Sequence, residues 1–364
     1  MDARELLGRP TGVGRYLHSL LSCWAADPEA ADVSIELFTP APLPLLPAWR
    51  GPGARIAPVA LPGGTGTRWE QTTLPRGARG RADVLFCPGY ATPLFCSVPT
   101  VVTIHDVSFW AHPEWFRPRE GFRRRWTSRL SARRARRVLT VSEFSKAEIV
   151  RWLGVPPDRV TVTLEGIGAS LPEPTGGTNP QPDSGPRILY AGSILNRRHV
   201  PDLVRAFAPI ARRWNAARLI LVGENRTWPR EDPLDAARAE GIAGQVDVRD
   251  FASDEELGAL YRSATVFAYL STYEGFGLTP LEAMAAGLPV VAYDTPVARE
   301  IYGDAAWLVP PGNIAGITDA LLRVIEDTAE RERLRAAAAR RLTRYSWSRT
   351  AALSLAALRD AAAR

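Results

Sequence analysis

Apolar residues recur along the chain with two alternating periods. Near the start, a helical spacing places Tyr16, Leu20 and Trp24 on one face and predicts a helix from Arg15 to Ala26. The same period predicts helices over 118–134 and 143–153. Short strand-like runs follow, and two of them are rich in Val and Ile with little alternation, which is typical of parallel strands covered on both faces. They predict strands at 33–38, 55–59, 83–87, 100–104 and 137–141.

Residues 172–186 interrupt this pattern, because their prolines and glycines suit neither a helix nor a central strand. The alternation then restarts, with strands predicted at 188–190, 219–222, 246–248, 265–270, 289–292 and 306–309 and a helical tail from 317 onward. This order predicts an α/β protein with two Rossmann-like, doubly wound parallel-sheet domains facing a cleft. The expected parts are a first domain at 1–171, a linker at 172–186, a second domain at 187–345, and a C-terminal helix at 346–364 packing back toward the first domain.

Composition agrees with a large globular chain. The 364 residues exceed what one hydrophobic core usually serves, and 46% hydrophobic with 23% charged residues excludes wholesale disorder. Cys23, Cys87 and Cys96 are odd in number and lack C-x-x-C spacing, which favours a reducing compartment and argues against structural zinc. No stretch is long and apolar enough to cross a bilayer, and the start does not resemble a signal peptide. The prediction is a cytoplasmic protein, or one peripheral on the inner face of the plasma membrane.

The loop after the predicted strand at 265–270 carries the first candidate chemistry. Gly275 and Gly277 allow backbone amides to approach a ligand, and the next segment is predicted to begin a helix with Thr279 as its N-cap. A helix N-terminus attracts phosphate. Glu274 is either a solvated loop carboxylate or a ligand for sugar hydroxyls. Glu282 is either the acidic member of a capping box or, likewise, a hydroxyl ligand.

A second loop follows the predicted strand at 188–190 and contains Arg197 and Arg198. Adjacent guanidinium groups can clamp a diphosphate through charge-assisted, bidentate contacts. Paired arginines are common in this chain, so the position at the carboxyl end of a strand is what favours a functional role.

The block E-G-F-G-L-T-P-L-E-A-M-A-A-G-L-P-V-V, from Glu274 onward, resembles the signature of family-4 retaining glycosyltransferases of the GT-B fold, mannosyltransferases among them. Other segments resemble the family in the same order along the chain. They are Gly12-Val-Gly14, T-I-H-D around His105, L-T-V-S-E-F-S at 139–145, the loop 192–198, and S-D-E-E-L-G-A-L-Y-R at 253–262.

The resemblance implies a role for each matching residue. Catalytic roles fall to His105, Glu274 and Arg198. The donor diphosphate would be bound by Arg197, Arg198, Gly12, Gly14, Leu278 and Thr279; the donor sugar by His105, Glu274, Gly275, Phe276 and Gly277; and the ribose by Glu282. No metal and no cofactor are expected. Arg198 stands where the family usually has lysine, which keeps the charge but changes the geometry.

The first domain supplies candidate acceptor contacts after the predicted strand at 100–104. Asp106, Phe109 and Trp110 could bind the acceptor, although the aromatic residues are equally compatible with a core or hinge role, and His105 by itself with a structural one. Family members begin with a central strand that this chain lacks in sequence, so we expect either an upstream start or an incomplete first sheet. Glu165 and Asp250 replace residues that are often asparagine and glycine in the family.

The segment Arg117–Arg137 is strongly basic, with ten arginines against one glutamate. Phe122, Trp126 and Leu130 recur every four residues and define an apolar stripe on the predicted helix. The plain interpretation is a helix packed by this stripe on its own domain. The alternative is docking to an anionic membrane surface or a lipid diphosphate. No nucleic-acid module accompanies the segment, so nucleic acid is not expected as a partner.

Together these features predict a metal-independent, retaining glycosyltransferase. It would move a hexose, with mannose as a candidate, from a GDP- or UDP-linked donor to a glycan or lipid-linked sugar in polysaccharide biosynthesis. The alternative is a catalytically inactive nucleotide-sugar-binding or scaffold protein, motivated by the missing first strand.

Overall fold

The structure, a computed structural model, describes residues 1–8, 12–43, 49–168 and 185–363. The chain divides into two compact units. Unit 1 comprises Met1–Pro113, Pro118–Gly166 and Tyr345–Arg364, and unit 2 comprises Glu114–Arg117 and Ile167–Arg344. Most of the predicted linker, 172–184, lies outside the described residues.

Unit 1 contains parallel strands with helices between them, as the periodicity predicts. Its elements, in chain order, are α1 (Gly12–Ala26), β1 (Ser34–Thr39), β2 (Arg55–Ala60), α2 (Gly66–Arg68), α3 (Leu74–Ala78), β3 (Leu85–Cys87), β4 (Thr100–Thr103), α4 (Ser108–Ala111), α5 (Pro118–Arg134), β5 (Arg137–Thr140), α6 (Glu143–Leu153) and β6 (Val160–Val162). β1 and β2 form one parallel pair, and the order β3-β4-β5-β6 forms a four-stranded parallel sheet. β6 was not predicted from the sequence.

The position expected for the central strand of unit 1 holds the residues Met1–Ala3. The Asp2 amide donates to the Phe86 carbonyl at 2.9 Å, and the Ala3 amide donates to the Phe38 carbonyl at 3.0 Å. The Phe38 amide in turn donates to the Met1 carbonyl at 2.8 Å. These three residues therefore hydrogen-bond to both β1 and β3, through an isolated bridge and not a strand, and in the described residues β1-β2 and β3-β4-β5-β6 are separate sheets.

Unit 2 is a single sheet with helices around it. Its elements are β7 (Arg187–Ala191), α7 (Val200–Arg213), β8 (Arg218–Val222), α8 (Pro233–Ala239), β9 (Val246–Arg249), α9 (Asp254–Ser263), β10 (Val266–Tyr269), α10 (Leu278–Ala285), β11 (Val290–Tyr293), α11 (Pro296–Ile301), β12 (Ala306–Val309), α12 (Ile314–Glu326) and α13 (Thr328–Leu342). All six strands pair in parallel in the order β12-β11-β10-β7-β8-β9. Every residue of β10 and β11 is buried, which explains their continuous apolar sequences.

The C-terminal helix α14 (Trp347–Ala363) belongs to unit 1. Its residues Ala351, Leu355 and Leu358 join the same apolar cluster as the buried face of α1. The indole Nε1 of Trp24 donates to the Ala351 carbonyl at 2.9 Å, which fixes α14 against α1. Among the described residues, none of the helices is both long enough and apolar enough to span a membrane.

Helix α5 packs through small residues rather than through its apolar stripe. Its buried positions are Gly121, Ser128, Ser131 and Ala132. Phe122 is 59% exposed and Trp126 is 53% exposed, with their ring centroids 6.0 Å apart. The plain interpretation of this stripe, as the face that packs on its own domain, is therefore wrong for these two aromatic rings.

Candidate active site

The candidate site of unit 2 lies where the strand order of the sheet reverses. From β7 the chain proceeds outward through β8 and β9, and it then returns to β10 on the other side of β7 before continuing to β11 and β12. Ligands of open α/β sheets bind outside the carboxyl ends of the strands at such a switch point. The loops with Arg197 and Arg198 (after β7) and Glu274 (after β10) are adjacent there. The Thr272 amide donates to the Arg197 carbonyl at 2.9 Å and ties the two loops together.

Glu274 is the centre of a buried polar network, although it lies in a loop. Its Oε1 accepts from the Arg198 Nε at 2.8 Å, from the Tyr269 hydroxyl at 2.9 Å and from the Ser271 hydroxyl at 3.0 Å. Its Oε2 lies 3.4 Å from an Nη of Arg197. The residue is only 8% exposed, so the alternative of a solvated loop carboxylate is wrong.

The electrostatics of this cluster keep Glu274 ionised. Burial by itself would raise the pKa of the Glu274 carboxyl, but the neighbouring Arg197 and Arg198 outweigh it and hold that pKa well below its usual range. Two guanidinium groups face one carboxylate, so the cluster carries a net charge of +2 − 1 = +1. A buried site with excess positive charge attracts an anion.

The Arg198 side chain is oriented by three neighbours. Besides Glu274, its Nη1 donates to the Ser193 carbonyl at 2.8 Å, and its guanidinium carbon lies 5.1 Å from the centre of the Tyr269 ring. Gly192 has a φ of +128°, and a Cβ at this position would come within 2.8 Å of the Arg198 Nη1. Glycine is therefore needed at 192 both for its backbone and for the space the guanidinium occupies.

Helix α10 begins closer to the cluster than the sequence indicates. Its first helical residue is Leu278, and its N-cap is Gly277 in the left-handed conformation with φ +88°. Thr279 is therefore inside the first turn, and the prediction of Thr279 as N-cap is wrong. The capping-box interpretation of Glu282 is wrong for the same reason, since Glu282 lies more than a turn into the helix. Phe276 is buried with 3% exposure, so its ring packs in the interior and only its backbone can face a ligand.

The Tyr302 side chain leaves no space for a residue other than glycine at position 277. The Tyr302 hydroxyl donates to the Gly277 carbonyl at 3.1 Å, and a Cβ on residue 277 would overlap that hydroxyl. This contact fixes the turn from which the first amides of α10 emerge. Free amides and the helix dipole at such an end favour phosphate.

Gly12 and Gly14 lie within helix α1 rather than in a loop before it. The helix starts three residues earlier than the predicted Arg15. Gly14 is buried. Both residues belong to unit 1.

His105 also belongs to unit 1 and directly follows Ile104, at the carboxyl end of β4. Its Nε2 lies 2.9 Å from the Pro88 carbonyl oxygen, and its Nδ1 lies 3.3 Å from Oε1 of Glu165. The Tyr16 ring meets the imidazole edge-on, with centroids 5.0 Å apart. His105 is thus held on both ring nitrogens inside unit 1.

The three candidate acceptor residues have structural contacts. One carboxylate oxygen of Asp106 accepts from the Ser108 amide at 2.8 Å and from the Ser108 hydroxyl at 2.6 Å, which closes the turn into α4. Phe109 is 2% exposed and packs in the interior, so it cannot offer a platform to an acceptor. Trp110 is half-buried and stacks on Trp152 with centroids 6.4 Å apart.

Tyr269, Ser271 and Tyr302 were not singled out in the sequence. Tyr269 ends a fully buried strand, where its hydroxyl would need a polar partner, and that requirement is the one signal available in the sequence. Nothing local indicates that the Tyr302 hydroxyl reaches back to Gly277, 25 residues away.

Comparisons with known proteins agree with this architecture. Residues 177–341 match the family described as glycosyl transferases group 1, and residues 10–170 match glycosyltransferase family 4. The O-antigen chain mannosyltransferase B of Escherichia coli is 29% identical over 254 residues, which are 68% of this chain and 66% of that protein. The MMP alpha-(1->4)-mannosyltransferase of Mycolicibacterium hassiacum is 30% identical over 311 residues, 79% of this chain and 73% of that protein.

Solved structures show the same fold over almost the whole chain. Anabaena Alr3699/HepE, solved in complex with UDP and glucose, superposes with a TM-score of 0.74 at 19% identity and covers 97% of both chains. Sucrose-phosphate synthase from Thermosynechococcus elongatus gives a TM-score of 0.75 at 20% identity and covers 99% of this chain and 97% of that one.

Two α/β units with a basic cluster at the switch point define a glycosyltransferase of the GT-B fold. The chain belongs to glycosyltransferase family 4, with the group 1 domain forming its second half.

Proposed function

We propose that this glycosyltransferase moves a hexose from a nucleotide-diphosphate sugar to a hydroxyl group of a glycan or lipid-linked sugar, with retention of the anomeric configuration. The observation that carries the proposal is the Arg197–Arg198–Glu274 cluster, with its net positive charge, at the switch point of unit 2 and beside the N-terminus of α10. Mannose is the proposed hexose, because both relatives described above are mannosyltransferases.

The proposed role of the cluster is to bind the donor diphosphate and to stabilise it as it departs. Negative charge develops on the diphosphate when its bond to the sugar breaks, and preorganised guanidinium groups and helix amides stabilise such charge. In this proposal Arg197, Arg198 and the first amides of α10 carry out the neutralisation that a divalent cation supplies in other enzymes. Glu282 lies just over one turn into α10 and is partly exposed. The resemblance assigns this residue to the ribose.

The proposed reaction balances without a protein nucleophile. The bond between the anomeric carbon and the diphosphate oxygen breaks, the acceptor oxygen bonds to the carbon on the same face, and the acceptor proton passes to the departing diphosphate. This front-face course is supported by the resemblance to retaining family members. It requires that the diphosphate stay beside the acceptor, which a buried pair of arginines favours.

The first experiment compares Arg198→Ala with Arg205→Ala, an exposed arginine on α7 that pairs with Asp202. Donor turnover and donor binding are measured for both variants with GDP-mannose and UDP-hexoses. We expect Arg198→Ala to lower kcat/KM by at least about 100-fold, since losing one preorganised donor typically costs that much. We expect Arg205→Ala to match the unchanged protein. Equal kinetics for the two variants would refute the diphosphate clamp.

The donor base is identified separately by thermal unfolding in the presence of GDP, UDP or ADP. A selective rise in the unfolding temperature names the donor class, because a ligand that binds only the folded state stabilises it. A folded protein that responds to none of the three, and that hydrolyses no nucleotide sugar on long incubation, would instead favour the inactive scaffold.

We further propose that α5 binds an anionic membrane surface that carries the acceptor. The supporting observation is the exposed pair Phe122 and Trp126 among the arginines of 117–137. Exposed apolar rings flanked by basic residues favour the interface of an anionic bilayer, where each basic residue contributes about 1 kcal/mol.

Sedimentation with phosphatidylcholine vesicles, with or without phosphatidylglycerol, tests this surface. We expect binding only with phosphatidylglycerol, a strong decrease at high salt, and a loss in a Phe122→Ser/Trp126→Ser variant. Phe251→Ser removes an aromatic ring of similar exposure, 69%, from unit 2 and should bind as the unchanged protein does. Equal binding by both variants would contradict the proposal.

A further inference from the structure

The imidazole of His105 is enclosed by groups that accept hydrogen bonds. Its Nε2 faces the Pro88 carbonyl at 2.9 Å, and its Nδ1 faces the Glu165 carboxylate at 3.3 Å. A neutral imidazole has one donor and one acceptor nitrogen, whereas both nitrogens donate in the imidazolium. A carbonyl and a carboxylate can only accept from it. With Glu165 as a carboxylate, the two contacts are satisfied together only when His105 is doubly protonated.

The surrounding elements add further negative charge. Glu165, which follows β6, is 6% exposed, and Asp106, the next residue along the chain, is the second carboxylate beside the imidazole. Tyr16 on α1 stays neutral, because burial raises the pKa of its hydroxyl to about 12. Tyr90 faces the ring from the loop after β3, and its hydroxyl donates to Asp106 at 3.2 Å.

Burial alone would lower the pKa of His105, but the hydrogen bond and charge of Glu165 outweigh it and raise that pKa above its ordinary value of 6.5. The direction agrees with the geometry. The Glu165 carboxylate also fixes the orientation of the His105 ring, because a hydrogen-bond partner on one ring nitrogen determines where the other nitrogen points.

We propose that Glu165 is a positioning residue that holds His105 as an imidazolium, so that both ring nitrogens donate and His105 cannot serve as a proton acceptor in the transfer reaction. Both ring nitrogens carry a proton, so His105 does not take the acceptor proton. That proton then goes to the departing diphosphate, as in the proposed reaction. This inference rests on the proposed function only for its link to the transfer reaction; the protonation state is a property of the folded chain.

The first measurement is the titration of His105 by NMR of the imidazole carbons and nitrogens. The chain has four histidines, and the resonance that disappears in His105→Gln identifies the one in question. We expect His105 to remain mostly protonated at pH 7 in the unchanged protein. In Glu165→Gln the midpoint should fall by at least one unit, which is about a tenfold loss of the protonated form relative to the neutral one.

Glu148→Gln is the matched control, because Glu148 is another hydrogen-bonded carboxylate of unit 1, paired with Trp152 on α6. It should leave the His105 titration unchanged. A neutral His105 at pH 7 in the unchanged protein would overturn the proposal, as would the same midpoint in Glu165→Gln.

The second measurement is the pH profile of kcat/KM. In Glu165→Gln we expect near-normal activity at pH 6 and a steep loss toward pH 8, because the neutral form of His105 then dominates. Glu165→Asp, which keeps the charge, should restore most of the alkaline activity. A loss that is uniform across pH would mean a purely structural role and would contradict the proposal. If no transfer activity is found at all, the NMR titration still tests the protonation state of His105. Failure of the proposed function and failure of this inference are therefore distinguishable.

Discussion

Replacing Glu274 by glutamine tests whether the buried carboxylate holds the two arginines of the candidate site in place. The substitution keeps the shape and two polar atoms of the side chain but removes the charge that faces Arg197 and Arg198 at 3.4 and 2.8 Å. Removing one partner of a buried ion pair costs about 3–5 kcal/mol, because the remaining charges stay buried without compensation. For a unit of this size, 1 kcal/mol corresponds to roughly 2–4 °C, so the unfolding temperature should fall by roughly 6–20 °C.

The assay is thermal unfolding of Glu274→Gln beside Glu255→Gln, an exposed carboxylate on α9 that should unfold as the unchanged protein does. The folded-state pKa of Glu274 is lowered, so its contribution is fully present above the ordinary pKa of 4.5 and decreases as the pH falls toward the lower folded-state value. The difference between the unchanged protein and Glu274→Gln should therefore be full at pH 7 and narrow below about pH 4.5.

Inorganic pyrophosphate distinguishes loss of this charge from general damage. In Glu274→Gln the two guanidinium groups lack their carboxylate, so the added anion should raise the unfolding temperature more than it does in the unchanged protein. Equal unfolding temperatures of Glu274→Gln and Glu255→Gln at pH 7 would refute the reasoning, because the ion pairs would then contribute nothing to the folded state.

Three further outcomes are expected. Gly277→Ala should destabilise the protein by at least about 1–2 kcal/mol, since φ is +88° and the new Cβ meets the Tyr302 hydroxyl; adding Tyr302→Phe should recover only the steric part in denaturant unfolding. Tyr269→Phe keeps the ring beside the guanidinium but removes a hydroxyl bonded to a carboxylate, and should cost about 1.5–3 kcal/mol in the same assay; a cost near zero would mean that water replaces the bond. The His105 pKa is raised, so its stabilising effect should be complete below about pH 6.5 and disappear as pH rises through the folded-state pKa, which the difference in unfolding free energy between the unchanged protein and His105→Gln measures.

Much of the fold was predictable because local periodicity encodes local structure. Helix α6 and strand β12 occur at the predicted residues, and the other predicted strands are shifted by one or two residues at most. Their continuous apolar runs identify strands covered on both faces, from which two doubly wound sheets follow. The block from Glu274 to Glu282 likewise identified the family, because so many residue types match at fixed spacing.

Local pattern does not decide which face of an element is buried or where a helix starts. The stripe Phe122–Trp126 was recognisable as apolar, but the small residues on another face of α5 allow closer packing and take the buried position. The start of α10 depended on the left-handed conformation of Gly277, which Tyr302 supports from a distant segment. Periodicity says which side chains share a face, and only packing against other elements selects among the faces.

The chain itself determined the parallel α/β architecture, the family and the residues available for chemistry. The tertiary structure decided that β10 returns to the side of β7, because strand order is a matter of long-range pairing that no local run contains. That neighbourhood buries Glu274 between two arginines, which keep its carboxyl group deprotonated. The loops that approach His105 from β3 and β6 instead keep its imidazole protonated. Charge states of this kind arise from the dielectric and the partners around a group, which exist only once the fold brings them together.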